Sequence, residues 1–437
     1  MEQAPATRDF LAPVVRAPRV VMSRGKGSFV WDTEGRRYLD LNAGQFCAIF
    51  GHSHPKVAEF IARQAHKLQN TSTTTVGEEA VEAARKLHDL TEDMDGRSVF
   101  LSTGAEANEC ALRYAKHLTG RPGVVSFEPA WHGLTLGTEC LSIARRHVKP
   151  PIPHTYAVPV PPVRSGDEIS AADLDRYVQM FVDVVRQHGA ALAAAIFEPI
   201  VSSGGMFFPP ADYFRRVREV CDDHGILLIF DECQTGFART GSWFRYQQLG
   251  CIPDFVVCAK GMGLGYPVST VIFRGERVPA DGFLMQLFSS HQNDPFGCGL
   301  VCFAIDWILR DNLRIRIAEH GDYFLDRLTE LSQEFPLVHK PRGCGLMLAF
   351  DLHPAALERY PELSSRFVAA LMERGCLLQA CNAGQTMRLL PNYLVKEEEI
   401  DLFVDTVREV LEQEDFPRGF PLSHGRNGEG CIMTTTC

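Results

Sequence analysis

A lysine placed directly after a buried apolar strand is costly unless it is paired or covalently used. Lys260 stands in such a place, because the run DFVVC (254–258) leads into Ala259-Lys260-Gly261-Met262-Gly263. A carboxylate follows a second apolar run: ILLIF (226–230) leads into Asp231-Glu232-Cys233-Gln234-Thr235-Gly236. After SVFL (98–101) comes Ser102-Thr103-Gly104-Ala105-Glu106. The next helix carries an apolar stripe at Ala107, Cys110, Ala111, Tyr114, Ala115 and Leu118. That stripe puts Thr103, Gly104 and Ala105 at a helix N-terminus, where free N–H groups and the helix dipole favour a phosphate. Trp131-His132-Gly133 follows GVVSF (123–127), and Glu198-Pro199-Ile200-Val201-Ser202-Ser203-Gly204-Gly205 follows AALAAAIF (190–197).

Each feature has an ordinary reading. Lys260 alone reads as a surface lysine, Asp231 as a turn or cap residue, Thr103 as a simple N-cap and Trp131 as a core aromatic. In open α/β sheets, however, ligands bind outside the carboxyl ends of the strands. At that edge the chain gathers an amine, an acid, a phosphate cradle and a planar ring to stack on. Pyridoxal 5′-phosphate (PLP) needs that set. The lysine forms the Schiff base, and the acid keeps the pyridine nitrogen protonated as an electron sink.

The elements that position these residues follow from the pattern. Short apolar runs alternating with helical stretches from about residue 61 imply a parallel, doubly covered sheet. The Asp231–Lys260 interval fits one helix plus one strand. GSFVWDTEGRRYLDL reads as a hairpin turning at Asp32–Gly35. The expected fold is α/β: a large doubly wound, mostly parallel-sheet domain (61–305) and a smaller α+β domain built from 1–60 and 306–420. The polar, glycine-containing tail 421–437 is expected to be disordered.

The composition excludes several classes. The 437 residues suit a large catalytic domain plus smaller pieces. Acidic and basic residues are mixed, for a net charge of -10, with no basic face for nucleic acid and no polybasic membrane patch. No apolar run spans a bilayer, and the start MEQAPATRDF does not read as a secretory signal. The 14 cysteines form no CxxC pair and read as reduced, mostly buried thiols of a cytoplasmic protein.

The motifs built on Ser102–Glu106, Trp131–Gly133, Glu198–Ile200, Asp231–Gly236 and Lys260–Gly261 resemble the class III aminotransferases of PLP fold type I, from about residue 20 to 412. Within that class the chain is most similar to 2,2-dialkylglycine decarboxylase. Four details carry this: Gln45 in Asn42-Ala43-Gly44-Gln45, Trp131 in place of tyrosine or phenylalanine, Ser203 in its serine pair, and the loop Ser290-His291-Gln292-Asn293-Asp294-Pro295. The resemblance implies a homodimer or dimer of dimers with active sites at the subunit interface. It also implies cofactor contacts from Thr103, Gly104, Ala105, Trp131, Glu198, Asp231, Gln234 and Lys260, with Ser290 binding the phosphate across the interface. Gln45, Phe46, Trp131, Ser203 and Arg388 would form the substrate site, Arg388 clamping the α-carboxylate as a bidentate donor. A structural alkali metal ion would fall near Asp294. Phe46 replaces the decarboxylase's methionine and should reshape the pocket.

These residues imply transfer of an amino group from an α-amino acid to a 2-oxo acid, with Lys260 as the acid/base at the α-carbon. Arg388 gripping an in-plane carboxylate favours deprotonation; Gln45 and Trp131 beside a perpendicular carboxylate permit decarboxylation-dependent transamination. A racemase or aminomutase of the same fold, and a non-catalytic PLP-binding protein, are the alternatives. The joint presence of Asp231, Gln234, Lys260 and Arg388 argues against the last.

Overall fold

The computed structural model describes residues 20–143, 148, 150–164, 167–278, 287–413 and 416–417. The tail 421–437 lies outside these, so the expectation for it has no counterpart here.

Three antiparallel strands open the chain: β1 (Met22–Lys26), β2 (Phe29–Asp32) and β3 (Arg37–Asp40). The expected turn after Asp32 joins β2 to β3. Asp32 fixes it by accepting from the N–H groups of Glu34 and Arg36 at 2.9 and 2.8 Å.

The central sheet has seven strands: β4 (Arg97–Leu101), β5 (Gly123–Phe127), β6 (Thr155–Val158), β7 (Leu192–Phe197), β8 (Leu227–Asp231), β9 (Phe255–Cys258) and β10 (Ser269–Phe273). Their order is β4-β10-β9-β8-β7-β5-β6. β6, β5, β7, β8 and β9 run parallel, whereas β10 is antiparallel to both β9 and β4. Every residue of β5, β7, β8, β9 and β10 is buried, as expected for strands covered on both faces.

The Asp231–Lys260 connection differs from the expected single helix. It is mostly turns, with only the short helix Tyr246–Leu249 before β9. Glu232 organises these turns by accepting from the N–H groups of Arg245 and Tyr246 and from the Thr235 hydroxyl.

Two long helices, Pro295–Arg310 and Leu313–Glu334, lead to β11 (Val338–Cys344), β12 (Met347–Leu352), β13 (Cys376–Leu377), β14 (Gln379–Cys381) and β15 (Thr386–Leu389). A four-stranded sheet orders these as β11-β12-β15-β14, while β13 pairs in parallel with β3. The N-terminal strands are thus stitched to the C-terminal part of the chain. Among the described residues, no helix is long and apolar enough to cross a membrane.

Candidate active site

The carboxyl ends of β4, β5, β8 and β9 open onto a cavity of about 340 Å³. Its walls include Thr103, Gly104, Ala105, Trp131, Asp231 and Lys260, so six of the expected cofactor residues converge. Lys260 begins a 3-10 turn right after β9 with φ 51°, a left-handed conformation that turns the chain sharply at the strand end. Thr103 caps the helix Gly104–Thr119, accepting from Glu106 N–H at 3.2 Å. The loop Trp131–Gly133 closes tightly on this helix start. Gly133 has φ 124°, and a Cβ there would lie 2.5 Å from Ala105 Cβ. Trp131 is 36% exposed at the cavity wall, which removes its reading as a core aromatic.

Asp231 is buried at the end of β8, where Oδ2 accepts from Asn108 Nδ2 at 2.7 Å and meets His132 Nδ1 at 2.8 Å. Cys233 N–H donates to Oδ1 at 3.1 Å. Burial pushes the carboxyl up. The hydrogen bond and charge of His132, the charge of Lys260 and the Cys233 contact outweigh it and hold Asp231 below its ordinary value. Asp231 is therefore anionic, and Nδ1 of His132 is the donor.

A second cluster adjoins the first through Glu198. Its carboxylate accepts from the N–H groups of Trp131 at 2.7 Å and Ser202 at 3.2 Å, and burial pushes its pKa up to about 7 against the opposing charge of His132. The Ser202 hydroxyl donates to Gln234 Oε1 at 3.0 Å and accepts from Arg388 Nη1 at 3.1 Å. Arg388 also donates to Ser203 Oγ at 3.2 Å and to Gln379 Oε1 at 2.7 Å. Gln379 in turn donates to Gln45 Oε1 at 2.8 Å. The Phe46 ring lies 5.0 Å from the guanidinium. Arg388 is 6% exposed, its Nε has no partner, and no carboxylate is within ion-pair distance among the described residues. Burial pushes the guanidinium below its ordinary value, with Cys381 and Glu198 partly offsetting that.

The sequence profile described as Aminotransferase class-III matches residues 11–411. The chain belongs to the class-III aminotransferases. The acetylornithine aminotransferase of Methanothermobacter thermautotrophicus is 34% identical over 406 residues, covering 92% of this chain and 97% of that protein. The probable 4-aminobutyrate aminotransferase of Bacillus subtilis is 30% identical, covering 87% and 90%. Among solved structures, a Bacillus anthracis aminotransferase superposes with TM-score 0.85 at 26% identity over 94% of this chain and 97% of that one. A PLP-bound amine transaminase from an uncultivated Pseudomonas species gives 0.83 at 25% identity over 92% and 98%. The α/β architecture is that of PLP-dependent fold type I.

The donor set of this class-III aminotransferase fits PLP. A buried anion, an amine and the free N–H groups at the start of a 16-residue helix share one cavity. Gly265, also in the wall, leaves open space where a Cβ would stand.

Two expected residues lie outside both clusters. Ser290 is exposed, and its carbonyl accepts from Asn70 Nδ2 at 3.1 Å. Asp294 caps the helix Pro295–Arg310 through Phe296 N–H and meets His291 Nδ1 at 2.7 Å. Among the described residues, no group of three or more His, Cys, Asp or Glu side chains could hold a metal ion.

Sequence reasoning gave no role to His132, Asn108, Ser202 or Gln379. His132 sat inside the recognised Trp131–Gly133 motif and Asn108 two residues beyond the Ser102–Glu106 one, but nothing in their spacing pointed at Asp231. Gln379 carries no motif; only the β14–β15 register, which sets it opposite Arg388, brings it to the site.

Proposed function

We propose that this chain is a PLP-dependent transaminase that moves an amino group from a carboxylate-bearing amine, an α-amino acid, to a 2-oxo acid. The observation that carries this reading is Arg388. A buried cation without a counter-ion is strongly unfavourable. Ser202, Ser203 and Gln379 satisfy some of its donors and none of its charge. A substrate carboxylate supplies both. Relatives named for acetylornithine and 4-aminobutyrate, both amines that carry a carboxylate, support the carboxylate-bearing part of that reading; their free amines are not on the α-carbon.

When bound, PLP supplies an electron sink conjugated to the substrate α-carbon. Lys260 would hold the cofactor in the resting enzyme, and its Nζ, once freed, would carry the α-proton. Asp231, kept anionic by His132 and Asn108, would hold the ring nitrogen protonated. Trp131 would cover the ring, and the N–H groups at Gly104 and Ala105 would receive the phosphate.

The test is spectroscopic. Purified protein should show a cofactor absorbance that lysine linkage accounts for, absent in Lys260→Ala, and a panel of amino acids should convert it to the aminated form. A wild-type protein without that band, or one that no carboxylate-bearing amine converts, sinks the proposal.

A second reading, decarboxylation-dependent transamination, is favoured by one contact. Gln45 reaches Arg388 through Gln379, so an amide stands beside the carboxylate clamp. Carbon dioxide released from 2-aminoisobutyrate would establish it, and transamination of ordinary amino acids without release would exclude it. The class III resemblance further leads us to propose a homodimer or dimer of dimers in which exposed Ser290 serves a neighbouring copy. Sedimentation gives the mass, and Ser290→Ala should weaken PLP retention.

A further inference from the structure

Arg388 lies on β15 and Gln379 on β14, and the antiparallel register sets them directly opposite each other. Cross-strand partners share a face, so whatever occupies position 379 meets the guanidinium. Gln379 Oε1 accepts from Nη2 at 2.7 Å, and its Nε2 donates to Gln45 Oε1 at 2.8 Å. Gln45 sits in the short helical turn Ala43–Phe46, whose backbone is forced into unusual conformations at Ala43 (φ 44°), Gly44 (φ 69°) and Phe46 (φ 66°). Phe46 in turn presents its ring to Arg388.

We propose that Gln379 is the specificity-determining and positioning residue of the carboxylate clamp. It fixes the Arg388 fork and joins it to the Gln45 turn while leaving the positive charge uncancelled. The chemistry is simple. An amide oxygen accepts from a guanidinium as a carboxylate oxygen does, more weakly, but adds no negative charge. A glutamate in the same place would neutralise Arg388 and compete with the substrate. An apolar residue would leave both Nη2 and Gln45 Oε1 without their present partners. The inference rests on Arg388 being the carboxylate site, as proposed above.

The experiment uses holoenzyme and the isosteric pair Gln379→Glu and Gln379→Met, with Arg388→Met as reference. Calorimetric titration with propionate reads carboxylate binding independently of turnover. The half-reaction with alanine, followed by cofactor absorbance, separates its saturation constant from its limiting rate. Propionate should bind about tenfold more weakly to Gln379→Met and at least another tenfold more weakly to Gln379→Glu. For alanine the saturation constant should rise by similar factors, with a much smaller change in limiting rate. Loss of a purely structural contact would not penalise the charged isostere more than the apolar one. If a substitution fails to fold, judged by retained cofactor absorbance, Gln379→Asn replaces it and should still weaken propionate. Propionate affinities within twofold of wild type in the Gln379 variants, with Arg388→Met impaired, overturn the role of Gln379 alone. Unchanged binding in Arg388→Met, or no binding to wild type, overturns the Arg388 reading and this inference with it.

Discussion

His132 Nδ1 lies 2.8 Å from Asp231 Oδ2, with both side chains buried in the wall of the cavity that Lys260 also lines. The pair couples the loop after β5 to the end of β8. It also sets the charge of the acid, since burial alone would raise Asp231 and His132 is the largest opposing influence.

His132→Phe keeps the bulk and removes that influence, so the Asp231 carboxyl should rise. Activity that needs the anion is lost as pH falls through its pKa. The variant should therefore lose kcat/KM at a higher pH than the wild type on the acid side, with activity reduced about tenfold or more even near neutrality. The pH profile of both proteins checks this; superimposable acid limbs would refute it.

Gly133→Ala tests the closure of the Trp131 loop over the phosphate cradle. At φ 124° a side chain is strained whatever the space, and the added Cβ would sit 2.8 Å from Ala105 Cα, which is backbone. Overpacking and strain of this kind cost about 1–3 kcal/mol each. The loop should shift, and PLP should dissociate more readily in equilibrium dialysis. Retention equal to wild type would show that the loop does not close the site.

Glu232 and Glu198 give a pH dependence of stability. Burial raises each from 4.5 to about 7, so between those values the folded chain binds more protons than the unfolded one. Stability from these groups is thus greatest below pH 4.5 and declines as pH rises through 7. Asp231 acts in the opposite sense, but its window lies below 3.8. His339, pushed down to about 4 from 6.5, also opposes the trend and overlaps the same range. The decisive quantity is therefore the difference between proteins. Denaturant midpoints of Glu232→Gln, measured across this range, should fall less steeply with pH than those of the wild type.

The sequence was most legible where a strand is buried on both faces. GVVSF coincides with β5, and the runs read for β4, β7, β8 and β9 end within a residue of the observed strands, so Lys260, Asp231 and Thr103 could be placed at one edge. β1 and β6 escaped notice: none of the residues of β1 is buried, and only the last of β6 is. The pairing of β13 with β3 joins residues more than 330 positions apart, which no local pattern encodes. The helical stripe after Gly104 is buried as read, except Leu118, which is 38% exposed near the helix end. Arg388 was visible through its motif. Its cross-strand partner Gln379 was not, because β14 and β15 meet through a tight turn whose register depends on Asn382 and Ala383 adopting positive φ.

Arg388→Met separates function from stability. The guanidinium is buried, lacks an ion pair among the described residues and has an unpartnered Nε, so it is held at a cost to the fold. Replacing such a charge with an apolar side chain of similar length is often neutral or stabilising. The thermal midpoint of Arg388→Met should therefore equal or exceed that of the wild type. Substrate binding should suffer in the opposite direction. Removing one partner of a buried carboxylate–guanidinium contact costs about 2–5 kcal/mol, which corresponds to KM for an α-amino acid rising roughly 30-fold or more. Differential scanning calorimetry and steady-state kinetics on the same preparations check both halves. A large drop in midpoint would mean that Arg388 holds the fold, and an unchanged KM would mean that the carboxylate clamp lies elsewhere.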